Sequence, residues 1–460
     1  MLKTKVIYAC YACGTEHSRW QGQCSQCKQW NSLASVNSAD SRNRADNRVT
    51  IGQALHNANT KAHLLSGVDM PELQPIATFS TELDRTLGGG LTPGSVILLG
   101  GQPGAGKSTL LLQMLCQLSD QYKVLYITGE ESAQQVALRA QRLKLPTEKV
   151  HIFVNTYIDT ILNEIERIKP QIIVVDSIQV MYHPEVNSSA GSISQVKECT
   201  TALTQLAKAR QCIMLLVGHV TKEGALAGPK VLEHIVDTSL LLETNNDQRY
   251  RTLRAVKNRY GAVNELSVFA MNSKGMKAVS NPSAIFLSQN QQDISGRAVT
   301  VLWEGTRPLL LEIQALVDKS YLSNPKRVTV GFDYNRLSML LAVLHRHGDL
   351  QLGGYDIFAN LVGGIKISET GADLSLLLAI VSSYKDKPID SDLVVFGEVG
   401  LSGEIRPVPY GQERLAEAGK HGFKQAIIPE ANKPSKPLRG MKVCAINKLH
   451  EAINPEGNFY

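Results

Sequence analysis

A glycine-rich segment of nine residues, GQPGAGKST, constrains the fold of this chain more than any other feature of its 460 residues. It matches G-x-x-x-x-G-K-[ST] and lies between an apolar run and a helical pattern. The glycines allow a tight turn in which successive backbone N–H groups face phosphate oxygens at a helix amino terminus. This segment predicts a nucleoside triphosphate site. Its residues are Gly101, Gln102, Pro103, Gly104, Ala105, Gly106, Lys107, Ser108 and Thr109.

Two side chains of this segment and one distant carboxylate predict how ATP and Mg²⁺ are bound. Lys107 is expected to pair with the β- and γ-phosphates, and Ser108 to bind the metal ion. Asp176 ends the apolar run IIVVD, where the second carboxylate that organises Mg²⁺ belongs. An Asp in such a place is commonly just a helix cap or a turn residue. Because the glycine-rich segment is present, we favour the metal-binding interpretation.

A pair of glutamates follows the apolar run VLYIT. A carboxylate at the end of such a strand can orient and deprotonate an attacking water molecule. We assign this catalytic role to Glu130, with Glu131 as the alternative. Both could instead lie in the first turn of a helix and merely favour its dipole.

Strand and helix patterns alternate from about residue 76, which predicts an α/β fold with a mainly parallel sheet covered on both faces. Strands are expected at 95–100, 123–128, 172–176, 212–218, 236–242, 251–257 and 266–271, and helices at 107–118, 132–143 and 194–210. The pattern resets near residue 281, and a second α/β domain follows. Its expected strands are 299–303, 393–399 and 425–429, and its expected helices are 335–347 and 373–384.

Four of the eight cysteines lie within the first 27 residues, as two C-x-x-C pairs. Four thiolates complete a tetrahedral Zn²⁺ site and leave no position for water, so the predicted metal is structural. About thirty residues cannot otherwise build a stable core, so the metal would supply folding energy. The predicted zinc ligands are Cys10, Cys13, Cys24 and Cys27.

Composition sets the remaining boundaries. Residues 31–50 are rich in Ser, Asn, Asp and Arg, so they are typical of a linker. We therefore predict a zinc finger over 1–30, a linker over 31–60, an ATPase core over 61–275 and a C-terminal domain over 276–460. The net charge of +6 is too small to establish a nucleic-acid partner. Neither a membrane span nor an apolar leader is visible, and we expect a cytoplasmic protein.

Two cations alternate in the segment KNRYG, which closes a predicted strand. Lys257 and Arg259 should lie on one face of that strand, where they could contact phosphate. They could equally belong to a solvated strand end, and the residues alone favour neither interpretation.

With these residues placed, the chain resembles the bacterial RadA (Sms) family of DNA-repair ATPases over nearly its whole length. The resemblance rests on the paired C-x-x-C motifs, GQPGAGKST, IIVVDS, VGHVTKEG, AGPKVLEH, KNRYG and VVFGEVGLSGEIRPVP. The family signature usually reads KNRFG, and Tyr260 stands here in place of the Phe.

The resemblance implies a RecA-like core in a ring or filament, expected to be a homo-hexamer, with ATP bound between neighbouring subunits. Lys257 and Arg259 then match basic residues that reach the γ-phosphate of the neighbour. Loops 182–195 and 221–230 match DNA-facing loops, the first suited to a mobile segment and the second carrying Lys222 and Lys230 for phosphate contacts. His219 is either a relay between the γ-phosphate and the second loop or a structural histidine.

The C-terminal domain resembles that of Lon proteases, whose catalytic dyad is a Ser before a helix and a later Lys. Asp373 and Gln412 stand at those two positions here, so the resemblance implies no peptidase activity. The domain is expected to scaffold subunits and to present a DNA-binding surface.

The leading hypothesis is a DNA-dependent ATPase that moves on single strands and drives branch migration of recombination intermediates, in company with a RecA-type recombinase. One alternative is an ATP-dependent protease or unfoldase, which the missing Ser–Lys dyad disfavours. Another is a nucleotide-gated adaptor that loads a recombinase, which would bind ATP with negligible turnover.

Overall fold

The computed structural model describes residues 6–10, 16–17, 20–30, 33–37, 64, 74–219, 229–244, 249–287, 294–321, 323–363, 367 and 369–453. The chain divides into two compact units, residues 1–69 and 70–460. Within these described ranges, no helix combines the length and apolar character needed to cross a lipid bilayer. The predicted domain bounds at 30, 60 and 275 stay predictions.

The first unit is built on a small antiparallel sheet. Its strands are β1 (Val6–Cys10), β2 (Glu16–His17) and β3 (Leu33–Asn37), in the order β2-β1-β3. Between β2 and β3, the chain from 20 to 30 forms a hairpin that is closed by an antiparallel bridge between Gln23 and Trp30.

The second unit begins with a large sheet. Its strands are β4 (Val96–Gly101), β5 (Val124–Thr128), β6 (Val150–Val154), β7 (Ile172–Asp176), β8 (Ile213–His219), β9 (Thr238–Thr244), β10 (Tyr250–Asn258), β11 (Leu266–Asn272) and β12 (Gly275–Ala278). Their order is β12-β11-β10-β9-β4-β8-β7-β5-β6 among the described strands, and β4 to β9 run parallel. Because β4, β5 and β7 are buried along their whole length, they read as continuous apolar runs.

Helices connect and cover these strands. They are α1 (Thr81–Leu87), α2 (Lys107–Leu118), α3 (Ala133–Arg142), α4 (Ile158–Ile168), α5 (Ile193–Arg210) and α6 (Pro229–Ile235). Side-chain hydroxyls begin three of them, since Ser80, Ser132 and Ser192 accept hydrogen bonds from the third residue that follows each. In α3, the Gln135 side chain also accepts a hydrogen bond from the Ser132 N–H, which completes a capping box.

The predicted alternation and the α/β class are confirmed, with strand and helix ends within two residues of the expected ones. Strand β6 and helix α4 were not predicted from the sequence. Strand β6 is the outer strand of the described sheet, with three of its five residues exposed and two partly buried. Its segment VHIFV is short and is interrupted by His151, so it does not form a continuous apolar run. Helix α4 is amphipathic, with Ile158, Ile161 and Ile165 on its buried side.

The C-terminal part of the unit forms a second sheet and a two-stranded ladder. Their strands are β13 (Arg297–Glu304), β14 (Arg307–Lys319), β15 (Arg327–Val330), β16 (Tyr355–Leu361), β17 (Leu393–Val395), β18 (Glu398–Val399), β19 (Ile405–Arg406), β20 (Gln425–Pro429) and β21 (Lys442–Ile446). The sheet order is β15-β16-β14-β13-β17-β20-β21 in the described part, while β18 pairs with β19. The helices are α7 (Ser283–Phe286), α8 (Tyr334–His347), α9 (Asp373–Lys385), α10 (Gly411–Lys420) and α11 (Leu449–Ile453).

One strand predicted for this domain is wrong in its extent. The run 393–399 is not a single strand, because β17 ends at Val395 and β18 belongs to a separate ladder. Between them, the Gly397 N–H donates to the Gly371 carbonyl, 2.8 Å away, so the backbone leaves the sheet there.

Strand β11 contributes side chains to two hydrophobic cores, one for each sheet. Leu266 and Val268 pack with Leu302 and Leu309 of the C-terminal sheet, whereas Phe269 packs into the core of the first sheet. One strand thus contributes to both cores, because successive side chains point to opposite faces.

Buried ion pairs cross the same boundary. The Arg254 guanidinium on β10 lies 2.8 Å from the Glu304 carboxylate at the end of β13. Arg307 on β14 donates to both carboxylate oxygens of Glu82 in α1, at 3.2 and 3.1 Å. Burial raises the pKa of Glu304, and the charge of Arg254 opposes that rise. The two sheets are therefore joined by charge as well as by apolar contact.

We expect Arg254→Met to destabilise the second unit in a pH-dependent way. It would leave the buried Glu304 carboxylate without its cation, at a cost on the order of 3 kcal/mol near neutral pH. Since the folded-state pKa of Glu304 is raised, the loss should grow as pH rises through that pKa and shrink as acid protonates the group. Urea denaturation in mildly acidic and mildly alkaline buffer measures both effects.

Two further variants are the controls for this prediction. Adding Glu304→Met removes both charges and should restore most of the lost stability. Arg406→Met disrupts an exposed pair with Glu404 and should leave stability unchanged. A pH-independent loss in the Arg254 variant would contradict the assignment to Glu304.

Candidate functional site

The glycine-rich segment, residues 101–109, connects the end of β4 to the first turn of α2 at the carboxyl edge of the parallel sheet. Two of its glycines leave no room for a side chain. A Cβ on Gly101 would lie 2.5 Å from the Leu242 carbonyl oxygen, and one on Gly106 would lie 2.6 Å from the Met271 methyl group. Gly106 also has φ of 101°, which favours glycine. It caps α2 without a side-chain hydrogen bond, so the helix begins with backbone N–H groups directed to the loop.

Lys107 is buried at the centre of this loop. Its Nζ donates to the carbonyl oxygens of Gly101 and Gln102, at 2.8 and 3.0 Å. Burial lowers the pKa of Lys107, and the charges of Asp176 and Glu130 partly oppose that effect. The ammonium group is thus already oriented in the loop and is balanced by two nearby carboxylates.

Asp176 lies at the end of β7, two strands from β4. One of its carboxylate oxygens accepts a hydrogen bond of 2.5 Å from the buried Tyr126 hydroxyl on β5. Burial and the charge of Asp176 raise the pKa of Tyr126 well above its usual range, so the tyrosine stays a donor. Ser108 and Asp176 supply the hydroxyl and carboxylate oxygens that Mg²⁺ prefers, and they fit the predicted metal.

The structure separates the two glutamates that the sequence could not distinguish. Glu130 accepts a hydrogen bond from the Ser177 hydroxyl, and its Oε1 lies 3.3 Å from Nε2 of His219. Glu131 instead forms an ion pair with Arg139 of α3. Glu130 is therefore the carboxylate that lies near Lys107, and its charge opposes the fall in the pKa of that lysine.

His219 connects the lysine to this carboxylate. Its Nδ1 lies 3.4 Å from Nζ of Lys107, and its Nε2 faces Glu130. A chain of polar contacts therefore runs from Lys107 through His219 and Glu130 to Ser177. We call these four residues the relay chain.

Arg251, Tyr126 and Ser177 were not predicted from the sequence. Arg251 is buried on β10, and its Nε donates to the Ala105 carbonyl in the glycine-rich segment at 3.0 Å. It supports the loop from β10, which lies two strands from β4 in the sheet. Nothing in the run RTLRAVK distinguishes it from an ordinary strand cation, because only the fold brings β10 beside the loop.

Lys257 and Arg259 lie far from the phosphate loop of their own chain. Asn258 pairs with Thr238, and Thr238 with Ile97, four residues before Gly101 on β4. Lys257 and Arg259 flank Asn258, so they lie at the level of Ile97 in the sheet. A strand rises about 3.3 Å per residue, so this level is about 13 Å from the phosphate loop. Lys257 donates to the Val236 carbonyl at 2.7 Å, and Arg259 pairs with Asp237 at 3.0 Å. Burial is the main cause that lowers the pKa of Lys257.

The two predicted DNA-facing loops are described to different extents. In the first, the buried Gln195 side chain donates to the carbonyls of His183, Val186 and Ser188 and accepts from the His183 N–H. These bonds connect the loop to the first turn of α5, and the mobility expected from its composition stays a prediction. In the second, Lys222 lies outside the described residues. Lys230 belongs to α6, and its side chain is outside the description.

Only two of the four predicted zinc ligands have side chains among the described residues. Cys24 is buried and Cys27 exposed in the hairpin of residues 20–30, where the Lys28 N–H donates to the Cys24 carbonyl at 2.9 Å. Two thiolate donors on a tight, hydrogen-bonded turn suit Zn²⁺. Cys10 ends β1, but its side chain lies outside the described residues, as does the whole of Cys13.

The two positions of the Lon-type dyad are occupied by Asp373, which forms an ion pair, and by Gln412, which carries an amide. Asp373 begins α9, and both of its carboxylate oxygens accept hydrogen bonds from the Arg336 guanidinium. The Val399 N–H adds a third bond at 3.2 Å. Burial raises the pKa of Asp373, and Arg336 opposes that rise. Gln412 donates to the Asn432 carbonyl at 3.1 Å. Neither residue can act as the nucleophile or the base of a Ser–Lys dyad.

Three family models match separate parts of the chain. A rubredoxin metal binding domain matches residues 8–35, an AAA domain matches 74–225, and the ChlI subunit of Mg-chelatase matches 346–432. These matches confirm the predicted order of a zinc-binding unit, a P-loop ATPase core and a Lon-like α/β domain.

Curated relatives match over nearly the full length. The DNA repair protein RadA of Haemophilus influenzae is 56% identical over 98% of both chains, and that of Escherichia coli K12 is equally similar. The Listeria monocytogenes protein of the same name is 42% identical over 98% of both chains. With its ATPase core and metal-binding unit, the chain belongs to the RadA family of DNA repair proteins.

Proposed function

We propose that this protein is a cytoplasmic, DNA-dependent ATPase that drives branch migration of recombination intermediates. The observation that carries the proposal is the relay chain. It connects the lysine of the phosphate loop to Glu130 and includes His219 and Ser177, which lie where β8 and β7 end and the chain continues toward the proposed DNA-facing loops.

The residues of the site suit ATP hydrolysis. Lys107 would shift from the loop carbonyls to the β- and γ-phosphates, since an ammonium group stabilises the developing charge. Glu130 would orient the attacking water molecule and accept its proton. When bound at Ser108 and Asp176, Mg²⁺ would neutralise phosphate charge.

The same residues suit coupling to DNA. Ser177 leads into the loop that Gln195 holds, and His219 ends β8 just before the second loop. A displacement of either loop by single-stranded or branched DNA would move Glu130 relative to the γ-phosphate. Lys222 and Lys230 would contact DNA phosphates, which gives affinity without sequence preference.

We further propose that Lys257 and Arg259 act on the ATP of a neighbouring subunit. They lie at the amino edge of the sheet, opposite their own phosphate loop, so only another copy could use them. A head-to-tail interface of this kind closes into a ring when the rotation allows it, and a homo-hexamer is our proposal. A RecA-type recombinase would supply the intermediates on which the ring acts.

The protease alternative is disfavoured by the ion pair between Asp373 and Arg336. The adaptor alternative predicts ATP binding without turnover, and the placement of Glu130 beside the relay histidine argues against it. We therefore retain hydrolysis coupled to DNA.

The main test compares ATP hydrolysis with and without single-stranded DNA. We expect stimulation by DNA in the unaltered protein and no hydrolysis in Lys107→Ala. A branched oligonucleotide substrate should be resolved only when ATP is present. Hydrolysis that ignores DNA would contradict the motor, whereas bound but unhydrolysed ATP would support the adaptor.

Glu130→Gln and Glu131→Gln form a matched pair of variants. The first should bind ATP but lower the turnover number by about a hundredfold or more, because the general base is lost. The second should keep turnover, since Glu131 is engaged by Arg139. Phosphate release and binding of a fluorescent ATP analogue measure these effects, and the reverse order would assign the role to Glu131.

Mixing two inactive variants tests whether Arg259 acts between subunits. Lys107→Ala keeps an intact Arg259, and Arg259→Ala keeps an intact phosphate loop. In a mixed assembly, some interfaces combine the two intact halves, so partial activity should return. A mixture of Lys107→Ala with Glu130→Gln should stay inactive, because both changes affect the same half. No recovery in the first mixture would exclude action between subunits.

Asp373→Ala should lower the stability of the C-terminal domain without changing any cleavage of casein. It leaves the Arg336 guanidinium without its carboxylate, at a cost on the order of 3 kcal/mol. Gln412→Ala is the control and should be nearly neutral. Chemical denaturation measures the difference, and casein cleavage that disappears in Asp373→Ala would restore the protease hypothesis.

A further inference from the structure

We propose that Trp20 and Trp30 form a surface on which bases of single-stranded DNA stack. The inference rests on the proposed function, because it assumes that this protein acts on DNA. It assigns a role to the first unit, separate from the loops of the ATPase core.

The two tryptophans are unusually exposed for residues of their size. Trp20 is 58% exposed and Trp30 is 68% exposed. A fold normally buries an indole ring, so two exposed rings within eleven residues mark an interaction surface.

The hairpin of residues 20–30 carries both rings. A Cβ built on Gly22 would lie 3.6 Å from Cζ3 of Trp30, so the Trp30 ring lies against the backbone two residues from Trp20. The hairpin is closed by the Cys24 N–H, which donates to the Gln29 carbonyl at 3.0 Å, and by the Gln23 amide, which donates to the Lys28 carbonyl at 2.7 Å. Because these hydrogen bonds fix the hairpin backbone, the rings that it carries lose little conformational freedom on binding.

The charge around the hairpin favours a polyanion as the occupant. No Asp or Glu occurs between Glu16 and Asp40, whereas Arg19 and Lys28 lie in that interval. Over residues 1–50, seven basic and three acidic side chains give a balance of +4. A zinc ion bound by four thiolates carries a charge of −2, so it would lower the net charge of this segment by two and leave it positive.

The side chains between the tryptophans suit nucleic acid better than an apolar protein surface. Four glutamines lie between the two tryptophans, at positions 21, 23, 26 and 29; Gln23 closes the hairpin, and the other three are exposed. Amide groups can bond base edges or phosphates, while the rings stack on any base. Aromatic rings, amides and cations together are the composition of a single-strand platform rather than of a hydrophobic docking site.

Intrinsic fluorescence makes a direct test possible in the full-length, zinc-loaded protein. The chain has three tryptophans, and the third, Trp303, stacks on Tyr410 in the other unit. In Trp303→Phe, the emission reports only Trp20 and Trp30. Titration with oligo(dT) should quench it, because a stacked base quenches indole emission. Unquenched emission at saturating oligo(dT) would overturn the inference.

Paired substitutions distinguish stacking from simple apolar contact. Replacing both tryptophans by Phe keeps two aromatic faces, so the dissociation constant for labelled oligo(dT) should change little. Replacing both by Leu keeps apolar bulk but removes the faces, and the constant should rise roughly tenfold or more. Equal affinity of the Phe and Leu variants would contradict stacking and point to a protein partner. Zinc content and basal ATP hydrolysis should be unchanged in both.

Failure of this inference is distinguishable from failure of the proposed function. If oligo(dT) stimulates ATP hydrolysis in Trp303→Phe but leaves its emission unchanged, the motor stands and the stacking surface does not. If oligo(dT) neither stimulates hydrolysis nor binds, the proposed function itself fails.

Discussion

The buried ammonium group of Lys107 is the interaction on which the rest of the site depends. A cation in the interior of a protein is costly unless carbonyl dipoles and carboxylates surround it. Here two loop carbonyls accept its hydrogen bonds, while Asp176 and Glu130 provide the compensating charge. The parallel sheet makes this possible, since it brings the ends of β4, β5, β7 and β8 to one edge. The residues proposed to bind phosphate, to bind Mg²⁺ and to activate water therefore surround a single charged group.

The α/β fold could be predicted because its signals are local, and the candidate site residues were assigned from local signals as well. The phosphate loop is a continuous motif, and Asp176 ends a fully buried strand, so each was recognisable from adjacent residues alone. Glu130 and Glu131 were not separable, because the distinction depends on Arg139 in a helix and on Ser177 and His219 in two other strands.

Arg251 and Tyr126 were beyond prediction for the same reason. Each acts through a partner that is distant in sequence: Ala105 for the arginine and Asp176 for the tyrosine. The strand β6 was missed because this short, largely exposed outer strand is interrupted by His151 and shows no continuous apolar run. Sequence patterns therefore predicted least well the residues that act through long-range contacts and the strand at the edge of the sheet.

The sharing of β11 between two hydrophobic cores affects how shortened versions of the protein should be understood. A chain cut near residue 275 would keep every residue of the phosphate site, yet it would expose Leu266 and Val268 to solvent. It would also leave Arg254 and Glu82 without their partners across the boundary. Aggregation or inactivity of such a fragment would reflect an uncovered sheet face, and would say nothing about whether the missing half takes part in catalysis.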